Sequence, residues 1–204
     1  IYTLSQHAAL LISTSSTSYA VSGLSASTTY SFSVKAKDAA GNVSAASNTV
    51  SVTTLANSVT YCTAAATNTN DERIGNVKFG TINNSSTGAA GYENFTAIST
   101  NVTRGTAYAI SITPTWTASK YNEAYSVYID YNGNGVFTDS GEKVWTKTGS
   151  TTTPVTGSIT IPATATLGAT RMRVMMKYST APTSPCGTYT YGQVEDYTVN
   201  IMST

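Results

Sequence analysis

Gly192-Gln193-Val194-Glu195-Asp196-Tyr197-Thr198-Val199-Asn200-Ile201 alternates along its whole length. Glu195, Tyr197, Val199 and Ile201 fall on one face, and Asp196, Thr198 and Asn200 on the other. Period two with β-branched and aromatic residues marks a strand with one covered face. If the covered face carries Tyr197, Val199 and Ile201, Glu195 is a half-buried carboxylate and needs a partner. Arg171 and Arg173 share a face of an earlier alternating run, residues 171–178. A fork from these arginines to Glu195 is the expected structural ion pair. The alternative makes Glu195 or Asp196 a ligand of a cation held at Asp130.

The same pattern recurs at residues 18–24, 30–37, 49–53, 107–113, 124–130 and 158–161, each run ending near turn-forming residues. Helical periodicity is nearly absent. Short strands at this spacing imply an all-β chain of sandwich architecture. The 204 residues suffice for one large or two small domains. A Ser/Thr/Ala-rich segment at 53–60 divides the chain into residues 1–56 and 57–204.

In the first part, Leu24 and a short polar turn precede Thr29-Tyr30, which opens an alternating strand. That is the arrangement of a tyrosine corner. Asp38-Ala39-Ala40-Gly41-Asn42 follows as a turn, then a last strand. These features resemble the later strands of a bacterial fibronectin type III module. The resemblance implies a sandwich of about seven strands, so this module is expected to be incomplete within the sequence. Either the chain begins upstream, or a neighbouring chain supplies strands by β-strand addition and builds a filament or adhesin.

Charged residues are only 10% of the chain and the formal net charge is +1. This gives no electrostatic basis for nucleic acid or an anionic membrane. No run of about 18 apolar residues is present, so no membrane-spanning helix is expected. Ser, Thr, Asn, Gly and Tyr dominate the polar positions, as in exported bacterial β-modules. The two cysteines, Cys62 and Cys186, are then most simply one disulfide, the alternative being two separately buried thiols. Closing a loop of roughly 120 residues stabilises the fold by at most about 4–5 kcal/mol in the chain-entropy model.

Asp130-Tyr131-Asn132-Gly133-Asn134-Gly135-Val136 places oxygen-bearing side chains at every second position and is followed by Asp139 and Glu142. An EF-hand needs its bidentate Glu at the twelfth position, but that position is Gly141, and strands flank the loop. The expectation is a strand–loop–strand calcium turn. Asp130, Asn132, Asn134, Asp139 and Glu142 would supply side-chain oxygens and Val136 its carbonyl. Ca2+ affinity would be weak, about 10⁻⁴ to 10⁻³ M as in extracellular modules. The alternative is a plain Asn-Gly turn.

Gly192-Gln193-Val194-Glu195-Asp196-Tyr197 resembles the signature of the GEVED domain, with Gln193 where the family has its first Glu. The resemblance extends through Asn76-Val77-Lys78-Phe79-Gly80, Tyr92-Glu93-Asn94-Phe95-Thr96, Tyr128-Ile129-Asp130-Tyr131-Asn132 and Gly168-Ala169-Thr170-Arg171-Met172-Arg173. It implies a jelly-roll-like β-sandwich and a noncatalytic accessory role in secreted Bacteroidota-type proteins, often peptidases, many exported by the type IX route.

Catalysis has little to work with. His7 is the only histidine, there is no phosphate loop, and the adjacent Glu195 and Asp196 point to opposite faces of a strand. Of the many aromatics, Tyr121, Tyr131, Tyr189, Tyr191 and Trp116 lie near predicted turns without a regular spacing. Tyr packing a sandwich with a wet hydroxyl accounts for them without a ligand. The expected role is a noncatalytic binding or spacer region at the cell exterior, facing a protein or glycan. The alternatives are a strand-exchanged, self-associating filament subunit and a carbohydrate-binding module.

Overall fold

The computed structural model describes residues 2–5, 12–21, 24, 28–54 and 59–204. All regular secondary structure among them is β. The chain forms two compact units, Ile1–Ser58 and Val59–Thr204, dividing two residues beyond the boundary expected from the linker composition.

The first unit holds β1 (Tyr2–Ser5), β2 (Ile12–Thr14), β3 (Thr29–Ala36) and β4 (Val50–Thr53) in the order β2-β1-β3-β4. All of its pairings are antiparallel. Register places Tyr30 opposite Val52 and Phe32 opposite Val50, so these four share one face. Val50 and Val52 stay half exposed, so this apolar face has little cover among the described residues. The turn at Asp38 forms as expected, with the Asn42 amide and carboxamide both donating to the Asp38 carboxylate at 2.8 Å. Of the strand expected at 18–24, residues 18–21 and 24 lie outside any strand; residues 22–23, like His7 and residues 25–27 before Tyr30, lie outside the described residues.

The second unit is a sandwich. Its smaller sheet runs β12 (Val155–Thr160), β9 (Ala107–Trp116), β6 (Glu72–Phe79), β7 (Ile82–Ser85), all antiparallel. Its larger sheet runs β11 (Lys143–Ser150), β10 (Glu123–Ile129), β13 (Gly168–Tyr178), β14 (Gly187–Met202), β5 (Ala64–Asn68). β8 (Tyr92–Thr103) also pairs with β14. β14 therefore has two partners on one edge, β5 along its first part and β8 along its second, both parallel. Gly192 sits at the change of partner with φ +129°, and a Cβ there would lie 2.0 Å from the Met176 carbonyl oxygen. Only glycine fits that approach.

The main core lies between the sheets. Ile74, Val77, Phe79, Ile110 and Ile112 of the smaller sheet meet Tyr125, Val127, Met172, Val174, Tyr197 and Val199 of the larger. A bulge between Ile74 and Asn76 shifts the β6 register, so that Ile74 and Val77, three apart, both point inward. β10 is buried at all seven positions. Its second face is covered by another cluster, in which Tyr128, Met175 and Val194 pack with Ala64 and Phe137. The larger sheet is thus enclosed on both sides, and there alternation gives way to continuous burial.

Candidate functional site

Two rows of side chains leave the larger sheet in opposite directions. Met172, Val174 and Met176 of β13 join the inter-sheet core, which sends Arg171 and Arg173 to the outer face. On β14, Tyr197 and Val199 point inward with Glu195, which sends Asp196 outward. Arg173 stands directly opposite Asp196. Its Nε and Nη2 donate to the two carboxylate oxygens at 2.8 Å each. Both residues are buried. This corrects the ion pair expected with Glu195: register and parity select Asp196.

The fork reaches further. Arg173 Nη1 donates to the carbonyls of Cys62 and Pro185, both at 2.8 Å. Those carbonyls flank the Cys62–Cys186 disulfide, which joins segments 124 residues apart. Arg171 lies with its guanidinium carbon 4.3 Å from the Tyr61 ring centroid and 3.5 Å, nitrogen to oxygen, from Asp196. The Tyr61 hydroxyl donates to Asp130 Oδ2 at 2.8 Å. Burial, aided by Asp130, pushes the Tyr61 phenol up to about 12. Disulfide, arginines and acidic loop, read separately in the sequence, form one network with Asp196 at its centre.

Within the loop, Asp130 is fully buried and accepts the backbone N–H groups of Gly133 at 2.7 Å and Gly135 at 2.8 Å. Asn132 and Asn134 direct their carboxamide nitrogens at Asp139 Oδ2, at 2.6 and 2.8 Å. Their oxygens accept the N–H groups of Asn134 and Val136. Glu142 Oε1 accepts the Tyr131 N–H at 2.9 Å, while its buried Oε2 has no partner. Among the described residues, no three acidic, His or Cys side chains converge to hold a metal.

Residues 124–200, from β10 to the end of β14, match the family model of the GEVED domain. The chain carries a GEVED domain. Sections of curated enzymes are also similar to this chain. Chitinase Chi52 of Paenibacillus xylanexedens is 60% identical over 53 residues, 26% of this chain and 10% of that protein. Chitinase A1 of Niallia circulans is 40% identical over 137 residues, 67% of this chain and 15% of that protein. Exoglucanase A of Cellulomonas fimi is 65% identical over 48 residues, 24% of this chain and 6% of that protein. The chain thus spans only a small part of the relatives it matches.

The GEVED signature has a physical reading at each position. Gly192 admits the Met176 carbonyl. Gln193 is buried; its Oε1 accepts the Ile74 N–H at 2.9 Å and its Nε2 donates to the Ala90 carbonyl at 2.9 Å. A carboxylate in its place could accept the first bond but not donate the second. Val194 packs the outer cluster, and Asp196 takes Arg173. Glu195 is fully buried and accepts the Tyr197 hydroxyl at 2.6 Å, with Oε1 left unpartnered. Burial holds the Glu195 carboxyl up at about 7.

Two predictions follow from these groups. Glu195 is raised above its ordinary 4.5 in the folded state, so the native domain binds more protons than the unfolded chain between those values. Stability is then greatest below the ordinary value, falls as pH rises toward 7, and is flat above it. Glu195→Gln should flatten this decline and be more stable than wild type at about pH 8 by roughly 1–3 kcal/mol in urea unfolding. An unchanged pH profile would contradict the assignment. For calcium, both Asn carboxamides would have to turn their oxygens inward and break the bonds to Asp139, so only weak binding is expected, with a dissociation constant of about 10⁻⁴ to 10⁻³ M. Titration calorimetry reads this directly, and a silent titration at millimolar calcium would refute it.

Proposed function

We propose that this chain is a noncatalytic accessory region of a larger secreted bacterial polysaccharide-degrading enzyme, with a fibronectin type III-like spacer followed by the GEVED domain. The observation that carries the reading is the set of partial matches to two chitinases and an exoglucanase, the longest covering 15% of its relative. Stretches similar to parts of this chain occur in proteins named for different glycan-degrading activities, which suits a module that serves a catalyst. Three of the buried carboxylates support this. Asp130 and Asp196 are engaged by donors from their own fold, and Glu195 by Tyr197. The disulfide and these relatives favour an extracellular setting, and no helix among the described residues could cross a membrane.

The test compares the full-length gene product with a version lacking these 204 residues. Turnover on soluble oligosaccharides should agree within about twofold, while release of sugar from the insoluble polymer should fall several-fold. Loss of turnover on the soluble substrate would place catalytic function in this region and overturn the proposal.

A further inference from the structure

At one end of the GEVED sandwich the two sheets part and the inner rows of the larger sheet finish in tyrosines. The β13 row Met172, Val174, Met176 continues to Tyr178, and the β14 row ends at Tyr191. Tyr121, just before β10, completes a group of three. The centroids of Tyr121 and Tyr178 lie 6.0 Å apart with ring planes at 87°, and those of Tyr178 and Tyr191 6.3 Å apart at 83°. The flanking rings thus each present an edge-to-face contact to the central one. Tyr178 is 45% exposed and Tyr191 40%. Facing them from the smaller sheet are Asp71 and Glu72, and the five residues line a cleft of about 220 Å³.

The acidic side of the cleft is not satisfied by the fold. Glu72 is buried as a residue, yet its carboxylate makes no hydrogen bond with the described residues. Behind it, Glu123 Oε1 accepts the Trp116 indole N–H at 3.0 Å, while its fully buried Oε2 has no partner. Burial holds both carboxyls above their ordinary range, and the charge on Glu123 adds to the effect at Glu72. A cap made only to close the core would bury its rings and would place no carboxylates there. Here the rings are open and the acceptors are waiting for donors.

The geometry points to a glycan-binding cleft formed by Tyr121, Tyr178 and Tyr191 with Asp71 and Glu72, which takes an uncharged pyranose chain. The apolar C–H face of a sugar ring packs on the tyrosine faces. Its hydroxyl or acetamido N–H groups donate to the carboxylates, which only accept when ionised. The cleft volume is on the scale of a single sugar ring. Polyuronates are excluded, because their own carboxylates would meet Asp71 and Glu72 at close range. This assignment rests on the accessory reading above and adds to it the surface that contacts the polymer. The sequence pointed to Tyr121 and Tyr191 but not to Tyr178, whose place is set by the end of the β13 row.

The experiment titrates the 204-residue chain with β-1,4-linked N-acetylglucosamine and glucose oligosaccharides and with oligogalacturonate, by calorimetry. Binding of at least one neutral oligosaccharide and none of the acidic one is expected. Tyr178→Ala and Tyr191→Ala should each weaken the neutral ligand by roughly tenfold, with an unchanged melting temperature. Should an alanine variant fail to fold, tyrosine nitration of the wild-type chain mapped by mass spectrometry decides: ligand should protect Tyr178 and Tyr191. No heat with either neutral oligosaccharide, undiminished binding in folded variants, or nitration indifferent to ligand would each overturn the cleft. None of these results alters the comparison of soluble and insoluble substrates, so the cleft and the accessory role fail separately.

Discussion

A guanidinium buried at the centre of a sheet organises the second unit. Arg173 cannot lose its charge, so a fold that buries it must supply acceptors all around. Asp196 provides the fork, and the carbonyls of Cys62 and Pro185 take the third nitrogen. Those carbonyls belong to the two segments that the disulfide joins. The arginine therefore draws the start of the domain and the loop before β14 onto the outer face of the sheet, and the disulfide holds them there. Such a pair contributes little against a well-packed apolar replacement, yet removing one partner strands a buried charge. Its effect is specificity: strand register, disulfide partners and loop position are all tied to one side chain.

The inner face follows a different rule. Between the sheets the polar groups are few, and each departure from apolar packing has a visible consequence. Gln193 joins β14 to β6 and to the segment before β8 through an amide that both accepts and donates. Glu195 and Tyr197 pair within their own strand. At the mouth, Glu72 and Glu123 keep oxygens without donors, and the rings beside them face solvent.

Much of this was readable in the sequence. The strands at residues 107–113, 124–130, 171–178 and 194–201 lie within or overlap β9, β10, β13 and β14, because alternation there reflects a covered face. β6 and β8 were less visible. Their Asn, Thr and Gly residues weaken the pattern, and the β6 bulge breaks its period. Parallel pairing of β14 with β5 and β8 is set by contacts 99 to 123 residues apart and leaves no local mark. The partner of Arg173 was legible in principle. Met172 and Val174 take the inner face, so parity alone sends the arginines to the side of Asp196 rather than Glu195. The tyrosine cleft was hidden because its rings come from three separate segments that only the fold brings together.

The dependence on Arg173 is tested most directly by two double-mutant cycles in urea unfolding. One pairs Arg173→Met with Asp196→Asn, and the other pairs Arg173→Met with Glu195→Gln. The account predicts coupling of about 1.5 kcal/mol or more in the first cycle and within roughly 0.5 kcal/mol of zero in the second. Additive effects in the first cycle, or strong coupling in the second, would contradict it.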